Sequence, residues 1–234
     1  MPVRLRFITP SVGGGGGGLY STTFPATENP ISQGGIWVNG GDTGGSWHNV
    51  QTVPGNAHAA DFVAESGLER YSDALSILST SLTFNANQYA EGHVYRVPGY
   101  APSVGHEIEL LLRFSISSGD AHGYEVLWGR AGGMAIVRWN GSLGGYTPSS
   151  VDGQDIGIAA TDDVLRAEII GNILSVYKNT VLQASINITT DFAGGGSVWS
   201  TGQPGIGFWP VPNGSPAPVV LSSYGWKYFE AGNI

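Results

Sequence analysis

The chain has 234 residues, of which 41% are apolar and only 12% charged, with 37 glycines and no cysteine. That length and composition suit one large all-β domain with many turns and a neutral-polar surface, and exclude disulfide scaffolds and thiolate metal sites. A net charge of −8, with ten Lys and Arg residues scattered singly, disfavours nucleic acid and anionic membrane as partners, because phosphate contacts need clustered cations. A neutral glycan is compatible with it.

At the N-terminus "VRLRFI" (Val3 to Ile8) alternates like a short strand, and Gly13 to Gly18 form a hexaglycine run whose backbone entropy resists regular structure. Residues 1–18 read either as an arm with a flexible tether or as an edge strand on a loose loop. As an arm, this segment would offer a strand to a neighbouring copy and so a route to oligomers. It lacks the apolar core of about 7 to 15 residues found in a signal peptide. No run approaches the roughly 18 apolar residues of a membrane span.

Residues 19–234 read as one domain of short alternating runs bounded by Gly, Asn, Asp and Pro. Only "AADFVAE" (Ala59 to Glu65) suggests a helical turn or two. In "EIELLLRFSI" the alternation places Ile108, Leu110, Leu112, Phe114 and Ile116 on a core face, and Glu107, Glu109, Leu111, Arg113 and Ser115 on the other. Tyr124, Val126 and Trp128 face in, opposite Glu125, and Trp139 is placed inward with Ala135 and Val137. Further on, "DDVLRAEIIGNILSVYKNTVLQASI" holds three strands separated by "GN" and "KNT", a meander with Leu165, Ala167 and Ile169 inward and Arg166 and Glu168 outward. Strands that bury one face each predict an all-β, two-sheet antiparallel sandwich.

The outward positions collect many of the few charges: Glu107, Glu109, Arg113, Glu125, Arg138, Arg166 and Glu168. If they share one concave face they line a groove, where carboxylates and guanidinium groups suit sugar hydroxyls. The bland reading is a set of cross-strand ion pairs, each worth about 0.2 to 1 kcal/mol. Three loop aromatics, Tyr100, Tyr146 and Trp209, are placed either as loop anchors or to stack on a sugar ring. The five His residues show no metal-ligand spacing, the glycine run does not continue into a phosphate loop, and no nucleophile elbow is present.

The ordered segments "YSDALSIL", "QYAEGHVYRV", "HEIELLLRF", "GYEVLWGR", "AIVRWNG", "DVLRAEIIGNILSVYKN", "GQPGIGFW" and "SSYGWKYFEA" resemble the concanavalin A-like lectin and glucanase superfamily, in a laminin-G-like branch common in bacterial and phage proteins. The resemblance implies a jelly roll of two curved sheets with first and last strands adjacent, "LYSTTFP" beside "LSSYGWKYFEA". It also implies a glycan or polysaccharide partner. Glucanases of this group carry E-x-D-x-x-E on one strand; here "EIELLL" has Glu109 in place of the Asp and Leu112 in place of the second acid. The leading expectation is therefore a non-catalytic, lectin-like binding module, such as an extracellular or virion-associated adhesion domain. One alternative is a glycoside hydrolase or polysaccharide lyase using Glu107, Glu109, Glu125 and Arg138; another is a structural assembly subunit. No cofactor is expected. Structural calcium, which many jelly rolls bind near the paired termini, would have only Glu28, Asp42 or Glu230 to draw on.

Overall fold

Turn chemistry and alternation divide the chain into short antiparallel strands. The computed structural model describes residues 18–42, 47–60, 73–98, 106–142, 145–209 and 221–234. The arm, most of "AADFVAE" and Tyr100 lie outside them. The described strands are β1 (Leu19–Thr22), β2 (Trp37–Asn39), β3 (Val50–Val53), β4 (Asn56–Ala59), β5 (Ala74–Leu78), β6 (Gln88–Arg96), β7 (Glu107–Ser117), β8 (Asp120–Gly129), β9 (Gly133–Ser142), β10 (Tyr146–Pro148), β11 (Gln154–Asp155), β12 (Val164–Ile170), β13 (Ile173–Lys178), β14 (Val181–Asn187), β15 (Gln203–Trp209) and β16 (Tyr224–Asn233). Among the described residues the one helical element is a 3-10 turn at Leu221–Ser223.

The meander is present as read from the sequence. Gly171 takes φ +57° in the turn between β12 and β13, and Asn179 and Thr180 take φ 50° and 72° between β13 and β14. These positive values match the right-handed twist of the flanking strands, which is why two residues suffice. The first sheet runs β14-β13-β12-β6-β16-β4-β3 with β1 beside β16, and the second runs β10-β9-β8-β7-β15-β5-β2 with β11 beside β9. The first and last described strands are neighbours, Leu19 opposite Gly232 and Thr22 opposite Phe229.

Between the sheets lies the main core. Leu165, Ala167 and Ile169 from the first sheet and Ile108, Leu110, Leu112, Tyr124, Val126 and Trp128 from the second are all fully buried in it. Each large apolar side chain so buried contributes about 1.5 to 3 kcal/mol. Polar atoms of the core aromatics tie the layers together: the Trp226 indole donates to the Glu109 carbonyl at 3.2 Å, and the Tyr224 hydroxyl to the Trp128 carbonyl at 3.1 Å.

Strict alternation fails at Arg113. A β-bulge shifts the register between Leu112 and Ser115, and Arg113 takes φ 46°. The extra residue turns Phe114 away from the main core, into a second apolar cluster with Leu111, Trp47, Leu75, Ile77, Ala121 and Trp139, against which Ile116 packs. Neighbouring strands accommodate the bulge with glycine. A Cβ on Gly123 would lie 2.6 Å from Phe114 Cα, and one on Gly202 would lie 2.3 Å from the Arg113 carbonyl carbon. Arg113 reaches no open face. Its guanidinium donates to the carbonyls of Ala86 (2.7 Å), Gly171 (2.8 Å) and Trp199 (3.1 Å), tying three separate segments together.

Trp139 also differs from its expected placement. Val137 stands opposite Glu125 and Ile136 opposite Val126, so Trp139, Val137 and Ala135 share the face of Glu125. Arg138 lies on the inter-sheet side, opposite Tyr124. Because β9 is apolar on both faces, its alternation alone cannot show which set points in.

Replacing Leu110 or Ile169 by Asp puts an unpaired carboxylate in the main core at a cost of several kcal/mol. Neither variant is expected to show β-type circular dichroism with a cooperative melt; a soluble, cooperatively melting Leu110→Asp protein would contradict this core assignment.

Candidate functional site

The outer face of the second sheet carries a cluster of carboxyl groups whose positions follow from register. On β7, Glu107 pairs across to Trp209 and Glu109 to Gly207 of β15. Leu111 of the same face pairs with Glu125 of β8, leaving Glu109 and Glu125 as diagonal neighbours. Asp73 immediately precedes β5, whose Ala74 is opposite Phe208. Asp73 and Glu107 thus flank Trp209 on its two sides, in one row across three strands. Glycine makes room in the next row: a Cβ on Gly207 would lie 2.1 Å from Glu109 Oε2.

Glu109 and Glu125 are buried, at 1% and 5% exposure, while Asp73 and Glu107 are partly exposed. The Trp139 indole donates to Glu125 Oε2 at 2.6 Å. Among the described residues neither carboxyl oxygen of Glu109 has a hydrogen-bond partner. Desolvation is the main cause of raised pKa values throughout the cluster, and repulsion from neighbouring acids adds to it at Asp73, Glu107 and Glu109. Glu107 rises from 4.5 to about 8, helped by Glu125 and Asp152. Burial lifts Glu125 to about 7, against the lowering effect of the Trp139 hydrogen bond. Glu109 and Asp73 are pushed well above the ordinary range by burial and by the neighbouring acids. The cluster therefore retains protons at neutral pH.

The other sequence-predicted residues are not gathered here. Arg138 faces between the sheets, its guanidinium 4.8 Å from the Phe192 ring centre, donating to Asn140 Oδ1 at 2.9 Å and to the Gly195 carbonyl. Arg166 and Glu168 lie on the outer face of the first sheet, on the opposite side of the sandwich. There Arg166 stacks 3.8 Å over the Tyr89 ring and pairs with Glu91 at 3.4 Å and Glu168 at 3.3 Å. The Tyr177 hydroxyl donates to Glu168, and those of Tyr89 and Tyr228 donate to the two oxygens of Glu230. This is the cross-strand ion-pair arrangement, seen among the described residues on the first sheet. Its members Tyr89, Glu91 and His93 were readable in "QYAEGHVYRV", where every second residue is half-buried.

Of the aromatic candidates, Tyr146 is 55% exposed on β10 with its ring 5.8 Å from that of Trp139. Trp209 ends β15 on the acid-bearing face and is half-buried. Asp73 was the site member missed from the sequence. Its signal was faint, one acid just ahead of the apolar run "ALSIL". Among the described residues no three metal-ligating side chains come close enough to hold an ion. The calcium candidates are engaged otherwise or exposed: Glu28 accepts from the backbone NH groups of Ser32 (3.2 Å) and Gln33 (3.0 Å), Glu230 from two tyrosines, and Asp42 faces solvent.

No protein-family model matches the chain, and no curated protein matches it in sequence. Among solved structures it is similar to a carbohydrate-binding module from Bacillus subtilis, at 12% identity over 87% of this chain and 95% of that one, with a TM-score of 0.50. It is also similar to a GlcNAcα1-4Gal-releasing endo-β-galactosidase from Clostridium perfringens, at 10% identity over 97% of this chain and 65% of that one, with a TM-score of 0.54. The chain shares with them the two-sheet antiparallel jelly-roll fold. The expected adjacency of "LYSTTFP" and "LSSYGWKYFEA" is met by the pairing of β1 with β16.

The acid cluster makes stability depend on pH. The folded protein holds protons that the unfolded chain releases, so its stability is greatest below about pH 4.5 as far as these groups are concerned. It declines as pH rises through the folded values of about 7 and 8. Glu125→Gln, which keeps an acceptor for Trp139, should flatten that decline and raise stability at pH 8 by on the order of 1 to 3 kcal/mol. Thermal melts of both proteins from pH 5 to 9 check this; parallel curves would show that Glu125 is ionised throughout.

Proposed function

We propose that the protein is a non-catalytic glycan-binding module and that its ligand meets the outer face of the second sheet. The observation that carries this reading is the cross-strand pair of Trp209 and Glu107, both part-exposed at the rim of the carboxyl cluster. An indole face beside a hydrogen-bonding carboxyl group is the combination that holds a pyranose ring, the ring stacking and the carboxyl group fixing its hydroxyls. Sharing a fold with a protein described as a carbohydrate-binding module agrees with such a ligand. Fold alone does not separate binding from cleavage, because one scaffold serves many functions.

The composition of β7 speaks against turnover. Beyond Glu107 and Glu109, the next residue on the acid-bearing face is Leu111, fully buried, and Leu112 faces the main core. Glu109 is itself out of solvent contact, so this strand offers one accessible carboxyl group where retaining hydrolysis needs an opposed pair about 5 to 5.5 Å apart. The second reading, a glycoside hydrolase, is favoured by one fact: Glu107 and Glu125, with pKa values near 8 and 7, are suited to donate a proton at neutral pH. In that reading Arg138 has no part, since it faces between the sheets. An adhesion role on a cell surface or virion is the setting we propose for the binding reading.

A glycan array run together with a reducing-end assay on the same panel should give binding without new reducing ends. Trp209→Ala should weaken the bound glycan about ten-fold or more, since stacking and ring burial are worth about 1.5 kcal/mol or more, while leaving the melting curve in place. New reducing ends that vanish in Glu107→Gln would establish the hydrolase instead.

A further inference from the structure

The two outer faces of the sandwich treat their carboxyl groups oppositely. On the first sheet Glu91 and Glu168 both contact Arg166, and the oxygens of Glu230 are filled by tyrosine hydroxyls. On the second sheet the charged neighbours acting on Glu109 are Glu125, Asp73 and Glu107, and those acting on Asp73 are Glu125 and Glu107. For Glu107 they are Glu125 and Asp152. Among the described residues no cation is a cause of these three shifts. Glu109, 1% exposed and with neither oxygen hydrogen-bonded among the described residues, stands in the next row along the sheet from Asp73, Trp209 and Glu107. An acceptor group left unsatisfied in a protein interior is unfavourable, more so when it ionises.

Resting on the glycan-binding reading, we infer that this face is built for a glycan carrying a free amino group, a hexosamine whose ammonium meets the part-exposed Asp73 and Glu107, next to the buried Glu109, while its ring lies on Trp209. An ammonium supplies three donors and one positive charge, which are the two things the cluster lacks. A bare metal ion fits less well, since among the described residues no three metal-ligating side chains stand close enough to hold one. The same charge arithmetic rejects uronic acids and sulfated sugars, whose anionic groups would meet the acids at close range. Because these carboxyl groups retain protons near neutrality, arrival of the ammonium drives protons off them, and binding and proton release are linked.

Titration calorimetry of the intact protein at pH 6.5 tests this with three probes of equal length: a glucosamine oligosaccharide, its fully N-acetylated counterpart and an oligogalacturonate. The amine form should bind at least ten-fold more tightly than the acetylated form, and the uronate not at all. The binding enthalpy should vary with the ionisation enthalpy of the buffer, which reports protons released. Glu107→Gln should cut the preference for the amine to about three-fold or less and lower the proton count, with acetylated-sugar affinity retained; if that variant does not fold, Asp73→Asn serves the same purpose. Equal or tighter binding of the acetylated or uronate probe overturns the inference and leaves glycan binding standing. Binding of none of the three, together with an empty glycan array, removes both. Saturation by calcium alone that blocks the amine probe would mark a metal site and also overturn it.

Discussion

If β7 slipped by one residue against β8 and β15, Ile108, Leu110 and Leu112 would exchange places with Glu107, Glu109 and Leu111, and carboxyl groups would enter the main core. Side-chain period in a strand is two, so a single-residue shift costs every buried contact on that strand at once. The observed register, with Leu110 against Val126 and Ile206, is therefore held by the core. It in turn places the acids. Trp226 adds a check on this arrangement from the opposite sheet, donating its indole hydrogen to the backbone of Glu109 itself.

Beyond Leu112 the strand solves a different problem. The second sheet has an apolar layer on its outer side, and Leu111 and Trp139 occupy it beside the acids. Inserting one residue at Arg113 moves Phe114 onto that layer while Leu112 stays in the main core. The insertion is tolerated because Gly123 and Gly202 allow backbone to approach where a side chain would collide, and because the Arg113 side chain satisfies three loop carbonyls. An arginine whose alternation points it at solvent thus becomes a structural tie.

Burial, more than proximity, distinguishes the two polar faces. Arg166 and its partners keep 20 to 30% of their side-chain surface in water, where ion pairs contribute little and tolerate substitution. Glu109 and Glu125 have almost none, and at Glu109 repulsion from the neighbouring acids compounds the desolvation. A site of this kind reduces stability at neutral pH. Perturbed ionisable groups gathered on one face are where function is most often found, and the flanking Trp209 gives that face its apolar contact.

Local alternation and turn residues by themselves determined the all-β class, the meander over β12, β13 and β14, and the core sets Ile108, Leu110, Leu112 and Leu165, Ala167, Ile169. These properties reside in neighbouring residues along one strand, and a strand carries its own period. Glu107 and Glu109 were readable as one face of β7, and Glu125 as the polar face of its own strand, for the same reason. Only the tertiary structure decided that Arg138 lies inside the sandwich, that Arg166 and Glu168 belong to the other sheet, and that Asp73 joins the acids. Each of these depends on which strands become neighbours and in what register, and that is set by packing between segments far apart in the chain. Where both faces of a strand are apolar, as in β9, alternation carries no sign, and the partner strand supplies it.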